Sequence, residues 1–503
     1  MDLKRFLMIV VLGFVGGLTA QTTLVSNQAG LSQKKSNYRK ALGVSNNQIY
    51  TCYSSNADLS EGFVVEQYSS DMIFQRDRKI EAQGKERILR LVMGDSFLYW
   101  VGVVKVKRRE YQLLYHRLDL ELQGKVVSQG LGVVSDLELE PSNWEVVVSE
   151  DRKHIGLFVF GVQSQPMIDG YRHTVAQGFS FAQDGKRLDS FRIELSADFG
   201  LDDVVWRSAE VNVKGDMAMI YEDHVSGAIR LGGRKDSGHF HAIVRLHGST
   251  LHQRLSLAGD IVEVAVSKDV VSSDFLLSGF WSATKQSGIQ GHFTGRVRDY
   301  GSDERNQQQD IALETHLWSD RQCRQLAGLL AVKKSSKPED YFIRTVVPLS
   351  HGGQVILAEE FFETKQMETY YVNGVPQTNS KLFYHYGDVA AMYLSAKGDL
   401  DTVVMLRKTQ VGTVSNAYLF GFAHYVCAGS LNLVYNDLEG EMNRVMHVKI
   451  DNTFAVEKEW LFRSESIPGS IVPYEGLHTD YCTLTVPIYR DKQWHWLQIY
   501  SHD

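Results

Sequence analysis

The sequence predicts an all-β fold, a β-propeller of about eight (alternatively seven) four-stranded blades with one inserted amphipathic helix. Three observations carry this reading. A short apolar strand after a polar or Gly step recurs at 97–101, 155–160, 217–221 and 275–280, with starts about sixty residues apart. Each recurrence is followed by an alternating strand, a polar or Gly turn and a further strand. No linker-like stretch divides the chain, and Pro is scarce, at eight in total. A lone four-stranded meander leaves an apolar face open, and radial stacking buries it.

Taken in order, residues 1–20 read as a secretory signal peptide. Lys4 and Arg5 precede the apolar run 6–18, and the small residues Thr19 and Ala20 follow. Cleavage is expected after Ala20, leaving Gln21 first. The run is short for a bilayer span, and no later stretch approaches about twenty apolar residues, so the processed chain is expected to lack a transmembrane segment. No cysteine lies near the cleavage point, which argues against a bacterial lipid anchor. Residues 21–46 form a polar N-terminal segment, with 21–42 the one extended candidate for disorder. A single propeller domain is expected over 47–503.

The first ordered strands are expected at 49–53 and 63–68. The apolar element returns at 355–358, 431–435 and 482–487. The hairpins that follow it include 178–185 with 188–193, 241–248 with 251–257, 391–398 with 400–406, and 446–451 with 454–461. Their alternation puts side chains on opposite faces of a half-buried strand. Asp184-Gly185 and Lys397-Gly398 supply the positive φ that tight turns need. The last strand, 494–500, lies close to the C-terminus, so the two ends are expected to share a blade and close the ring.

Two insertions break the period, near 316–340 and 363–380. In the first, Ser319 and Gln322 form an S-x-x-Q capping box. Cys323, Leu326, Ala327 and Leu330 then share one helical face, and Lys333 and Lys334 suit its C-terminus. A helix packed outside the β-structure is the preferred reading, and a docking arm the sharper one. The second insertion carries Tyr370, Tyr371, Asn373-Gly374 and Pro376, and reads as a long polar hairpin.

The formal charge of -7 argues against nucleic acid as a partner, since phosphate binding needs a concentrated basic face. The short basic runs at Lys105, Lys107, Arg108 and Arg109, and at Lys333, Lys334 and Lys337, read as solvated faces. Four cysteines, Cys52, Cys323, Cys427 and Cys482, are too few and scattered for a disulfide framework. Buried free thiols are the preferred reading, and one bridge, Cys52–Cys482, is the alternative.

No G-x-S-x-G elbow, H-E-x-x-H or Walker loop occurs. Carboxylates pair at Glu222-Asp223, Glu359-Glu360 and Glu439 with Glu441, and glycosidase chemistry needs such pairs brought together across a cleft. Turn and rim acidity is preferred. His239, His241, His247 and His252 cluster, and the first three offer a conceivable metal site, but half-buried strand histidines are preferred. Trp494 and Trp496 share a strand face and read as packing between blades rather than as sugar platforms. No catalytic or binding residue is assigned, and no metal or cofactor is expected.

The stretch 278–291, from Ser278 to Gly291, followed by 352–362, 386–394 and 433–437, resembles a group of uncharacterised exported β-rich, propeller-like proteins of Bacteroidota. The similarity spans about Ser278–Leu461. The chain departs from that pattern at Glu360, where Gln is usual, and in a shorter charged helix segment. The resemblance implies an exported β-rich protein and carries over no catalytic residue. The repeat runs nearly to Asp503, leaving no separate sorting domain, which by analogy implies a periplasmic or outer-membrane-associated protein.

Together these readings lead to an exported cell-envelope binding or scaffold protein, with an envelope protein as partner, a glycan as a further candidate, and no catalytic activity. The alternatives are a carbohydrate-active hydrolase or lyase with its site at the propeller mouth, and a subunit or plug of an outer-membrane secretion complex.

Overall fold

A computed structural model describes residues 22–25, 38–56, 59–135, 137–139, 143–163, 173–195, 204–223, 239–269, 271–284, 288–298, 311–319, 322, 341–372, 375–437, 444–461, 469–480, 482–490 and 493–501. They form eight antiparallel sheets of four or five strands. Blades 1 to 7 follow one another along the chain, over 38–80, 87–135, 137–194, 204–254, 260–317, 341–412 and 423–460. Blade 8 joins 470–500 to the N-terminal strand Thr22–Val25, which pairs antiparallel with Gln493–Tyr500.

The blades make a ring. The innermost strands touch in succession: Tyr38–Ser45, Arg87–Met93, Trp144–Val148, Val204–Val211, Asp260–Lys268 and Tyr341–Pro348. Ala423–Cys427 touches Leu477–Asp480, which touches Tyr38–Ser45 and so returns to blade 1. The apolar core is divided the same way, into eight clusters with one at each blade–blade interface. The seven-blade alternative is therefore excluded.

The recurring apolar element is in every case the second strand of a blade. Met217–Asp223 is buried at all of its positions, as a strand covered on both faces by neighbouring blades must be. The tight turns behave as the sequence predicts, with Gly185 and Gly398 both at φ +84°.

The N-terminal expectation needs correction. The polar segment 21–46 contributes two strands, Thr22–Val25 and Tyr38–Ser45, both before the first ordered strand expected at 49. In the inner strand the buried positions are Arg39, Ala41, Leu42 and Gly43, so a short apolar centre within a polar sequence is enough, with Ala41 in one seam and Leu42 in the other. The cysteines also need correction. Cys482 bonds to Cys427, which ties blade 8 to blade 7, while Cys52 is a buried free thiol. Cys52 lies on the second strand of blade 1, paired with Lys40 and Val65. Cys323 lies outside the described residues. The capping box forms as expected, with Ser319 N–H donating to Gln322 Oε1 at 2.8 Å and Gln322 N–H donating to Ser319 Oγ at 3.4 Å. The helical face at 323–330 lies outside the described residues, as do Glu439 and Glu441.

Trp496 is a packing residue at the seam between blades 8 and 1. It is 2% exposed, sits among Ala41, Ile49, Tyr68 and Met72, and donates its indole N–H to Glu66 at 3.1 Å. Replacing Trp496 with Ala should cost about 3–5 kcal/mol of stability, mainly from lost burial, with one of the hydrogen bonds to Glu66 lost while Thr51 and Tyr68 still donate to it. Trp496→Phe should cost less than half of that. Urea denaturation of both variants checks this, and equal effects would show that the seam does not depend on the ring's bulk.

Candidate functional site

The innermost strands line the axis of the ring, and six of them carry a one-residue bulge. Register is lost between Ala41 and Gly43, Ile88 and Arg90, Trp206 and Ser208, Ile261 and Glu263, Ile343 and Thr345, and His478 and Asp480. A bulge re-aims a side chain out of the pleat. In blades 4 and 6 the extra residue is an arginine, Arg207 and Arg344.

Around these bulges, charges from separate blades form one network. Arg207 holds Glu222 through Nε at 2.9 Å and reaches Glu263 of blade 5 at 3.9 Å. Glu263 also feels Arg344. Arg344 Nε donates to Glu359 at 2.8 Å, and Lys408 Nζ reaches the other oxygen of Glu359 at 2.6 Å. Tyr474 donates to Glu359 at 3.5 Å. On the far side Lys40 and Arg90, from blades 1 and 2, interact both with Glu145 of blade 3 and with Glu475. Tyr474 and Glu475 belong to the one-turn 3-10 helix Pro473–Glu475, so this turn joins the two halves across the axis.

Glu145 is solvent-exposed and Tyr474 is 49% exposed, yet protein surrounds both closely enough to shift their pKa values. That combination places both side chains in a narrow, solvent-accessible channel. Burial pushes Glu263 up to about 7 against the opposing pull of Arg207. Nearer the other mouth, burial pushes Glu210 up to about 7 against Lys268. Lys40 falls to about 8 through burial and its neighbour Arg90.

A hairpin rises from this network. The strands Gln354–Val372 and Val375–Leu394 stay in register far beyond the rest of blade 6, from Glu363 opposite Tyr384 to Val372 opposite Val375. Phe361 and Tyr386, 4.9 Å apart, form its root and take the Arg344 guanidinium at 5.7 and 5.5 Å. Phe362 stacks on His385 at 4.4 Å. Above the root, residues 363–369, Tyr371 and 376–381 are exposed, Met367 at 62% and Tyr371 at 73%. The long polar hairpin expected at 363–380 is therefore present. Asn373 and Gly374 lie outside the described residues.

The other sequence candidates resolve individually. Glu222 and Glu359 enter the channel network, and Glu360 is buried beside Gly387. The histidines are engaged by protein groups. His241 meets Asp223 at 2.8 Å and stacks on Tyr221, and His252 meets the Tyr221 hydroxyl at 2.8 Å. Burial would raise Asp223, but the hydrogen bond and charge of His241 together with the N–H and charge of His239 outweigh it and hold the carboxyl below its usual range. His247 forms part of a turn, with φ +44°. Among the described residues no group of three metal-ligating side chains occurs. Trp494 takes the Arg39 guanidinium at 5.0 Å.

Sequence reasoning missed Arg207, Glu263, Arg344, Lys408 and Tyr474. The available signal was a single charge inside an otherwise apolar inner strand, as in Val204-Val205-Trp206-Arg207 and Val262-Glu263-Val264.

No family model matches the chain, and no curated protein matches it. Among solved structures, the chain is similar to the WD40 domain of SCAP from fission yeast, at 8% identity and TM-score 0.35, covering 96% of this chain and 98% of that one. It is similar to prolyl oligopeptidase B from Galerina marginata at 10% identity and TM-score 0.38, covering 91% of this chain and 57% of that one. It is similar to a thermostable family-43 glycoside hydrolase at 12% identity and TM-score 0.26, covering 57% of this chain and 96% of that one. The chain thus spans little more than half the length of the prolyl oligopeptidase. The propeller itself is established by this chain's own sheets.

The raised carboxyls give a pH dependence. The folded protein holds protons on Glu263 and Glu210 that the unfolded chain has released, so stability is greatest below about pH 4.5 for these groups and falls as pH rises towards 7. Glu263→Gln should reduce this slope between pH 5 and 7 by about one proton. Urea midpoints at pH 5, 6 and 7 check it, and an unchanged slope would place the Glu263 pKa in the ordinary range.

Proposed function

We propose that this chain is an exported binding protein of the cell envelope, a rigid propeller that meets a protein partner through the blade 6 hairpin and does no catalysis. The supporting observation is the hairpin itself. Ten residue pairs, Glu363–Tyr384 to Val372–Val375, extend past the blade, and their exposed side chains mix charge with Met367 and Tyr371. An arm whose outer side chains bury little within their own chain gains stability there mainly from its turn and its ladder, which is marginal for a two-stranded ribbon. A partner surface would supply the missing burial. The root ties the arm to Arg344 and so to the channel, which holds its direction fixed.

The channel charges fit this reading. Arg207, Arg344 and Lys408 are matched with Glu222 and Glu359, an arrangement that stiffens a ring. A subunit or plug of an outer-membrane secretion complex is the more specific form of the proposal. Glu263, held near neutrality beside Glu222, is the observation that favours the second reading, a carbohydrate-active hydrolase or lyase at the channel mouth.

The test is a mild-detergent pull-down of the tagged full chain from its native envelope, with mass spectrometry of what accompanies it. The comparison variant joins Glu363 to Tyr384 through Asn-Gly. The proposal expects a stoichiometric partner that the shortened variant loses, with the thermal midpoint shifted by less than about 4 °C. A partner retained by the shortened variant would remove the hairpin from the account, and a lone monomer would shift the weight to the hydrolase reading.

A further inference from the structure

Blade 2 carries a row of side chains that neither the channel nor the hairpin uses. Trp100, His116 and Ser128 are Cα partners across its second, third and fourth strands, Phe97–Lys107, Glu110–Asp119 and Val127–Ser135. Directly paired residues share one face of a sheet, so the three side chains lie side by side. The His116 ring stacks on Trp100, with centroids 5.0 Å apart, and the residue is only 1% exposed. Ser128, on the outermost strand, is exposed.

The turn before the blade adds a buried carboxylate, Glu86. Its backbone N–H donates to the Gln83 carbonyl at 3.1 Å, and its Oε2 accepts the Gln83 N–H at 3.3 Å. The side chain lies against Gly102 of the second strand, where a Cβ would collide with Oε1. The glycine in Val101-Gly102-Val103 therefore leaves the space that the carboxylate fills. Glu86 Oε1 meets His116 Nε2 at 2.8 Å, and His116 Nδ1 meets Ser128 Oγ at 2.7 Å. A carboxylate only accepts, so the neutral ring carries its proton on Nε2 and takes the Ser128 O–H at Nδ1. Gln83 Nε2 donates to the same Oγ at 3.2 Å.

These are the parts of an activated nucleophile: a reachable hydroxyl bonded to a base, and a base oriented by a buried carboxylate. The Gln83 amide, already beside Oγ, is the side-chain donor at hand for a developing oxyanion. A cavity of about 160 Å³ adjoins the relay, and Glu86, His116 and Gln83 line it together with Trp100, Ile80 and Val126. That is close to the roughly 150 Å³ that accepts a single benzene ring, so a short acyl chain fits and a long one does not.

We propose that Ser128 is a covalent acceptor site for the acyl group of short-chain activated esters. Ser128 Oγ attacks the ester carbonyl while its proton passes to His116 Nδ1, and Glu86 stabilises the imidazolium. The tetrahedral intermediate expels the alkoxide, which takes that proton from His116 and leaves as the alcohol. One C–O bond forms at Oγ, one breaks at the leaving group, and nothing is oxidised or reduced. The new ester persists, because the His116 ring is buried and its Nδ1 is reached only through the position that Oγ occupies, which leaves no site for a hydrolytic water. The modification is stoichiometric, without turnover. It does not rest on the hairpin reading, and neither proposal falls with the other.

The test is incubation of the full chain with p-nitrophenyl acetate, read by p-nitrophenolate release and by peptide mass spectrometry. The account expects a burst of about one equivalent per chain and no further release, with the acetyl group on Ser128. Ser128→Ala should lower the burst at least about tenfold with an unchanged thermal midpoint, since the residue is exposed. Glu86→Gln can donate as well as accept, which admits the tautomer whose Nδ1 no longer takes the hydroxyl proton. It should slow acetylation at least about tenfold and show the Nδ1–H form of His116 by nitrogen NMR. p-Nitrophenyl octanoate should react at least about tenfold more slowly than the acetate. The proposal is overturned if Ser128 carries no acetyl group, if it is acetylated no faster in the folded chain than in urea, if release continues past the first equivalent, if Glu86→Gln leaves the rate unchanged, or if the octanoate reacts equally fast.

Discussion

Every blade in this protein borrows half of its core from its neighbours, so the structure depends on closing the ring. Each of the eight apolar clusters spans two blades, and one open seam would expose the inner faces of both blades beside it. The chain closes that seam with both of its ends. Thr22–Val25 supplies a strand to blade 8, Trp496 crosses to Glu66 in blade 1, and Cys427–Cys482 fastens blade 8 to blade 7. These ties are spread over the inner, middle and outer parts of the last blade. They convert a linear stack, which could fray from either end, into a cooperative unit.

Closure also determines where the chemistry lies. Once eight inner strands surround an axis, a side chain that a bulge throws out of the pleat has only the channel to enter. Arg207 and Arg344 enter it this way, and the carboxylates Glu222, Glu263 and Glu359 gather around them. Their charges are desolvated by the walls, which explains a carboxyl held near neutrality beside two guanidinium groups. The aromatic root of the hairpin packs on the same arginine. The arm and the channel are therefore one mechanical object, while the Glu86–His116–Ser128 relay lies apart from both, towards the outer side of blade 2.

Much of the architecture was legible in the sequence because the second strand of each blade is buried on both faces. Such strands are apolar through their central residues, and that makes the period visible at Phe97–Lys107, His154–Gln163 and Met217–Asp223. Inner and outer strands have a mixed composition, which is why Tyr38–Ser45 and Thr22–Val25 look like a polar lead-in. The hairpin was legible from its length, and the capping box at Ser319 from its spacing. The disulfide was not, since Cys427 and Cys482 are brought together only by the stacking of two blades. The channel network was hidden for the same reason. Arg207 and Glu263 are unremarkable single charges until the ring makes them neighbours.

The account stands or falls on closure by the two chain ends, and the most direct measurement is a cross-link across that seam. Leu24 and Gln498 are Cα partners in the Thr22–Val25 ladder. With both changed to cysteine, oxidation and peptide mapping should show a Leu24→Cys to Gln498→Cys bridge in the folded protein, with a raised thermal midpoint. The same pair left unbridged, with the fold intact, would contradict the closed eight-bladed ring.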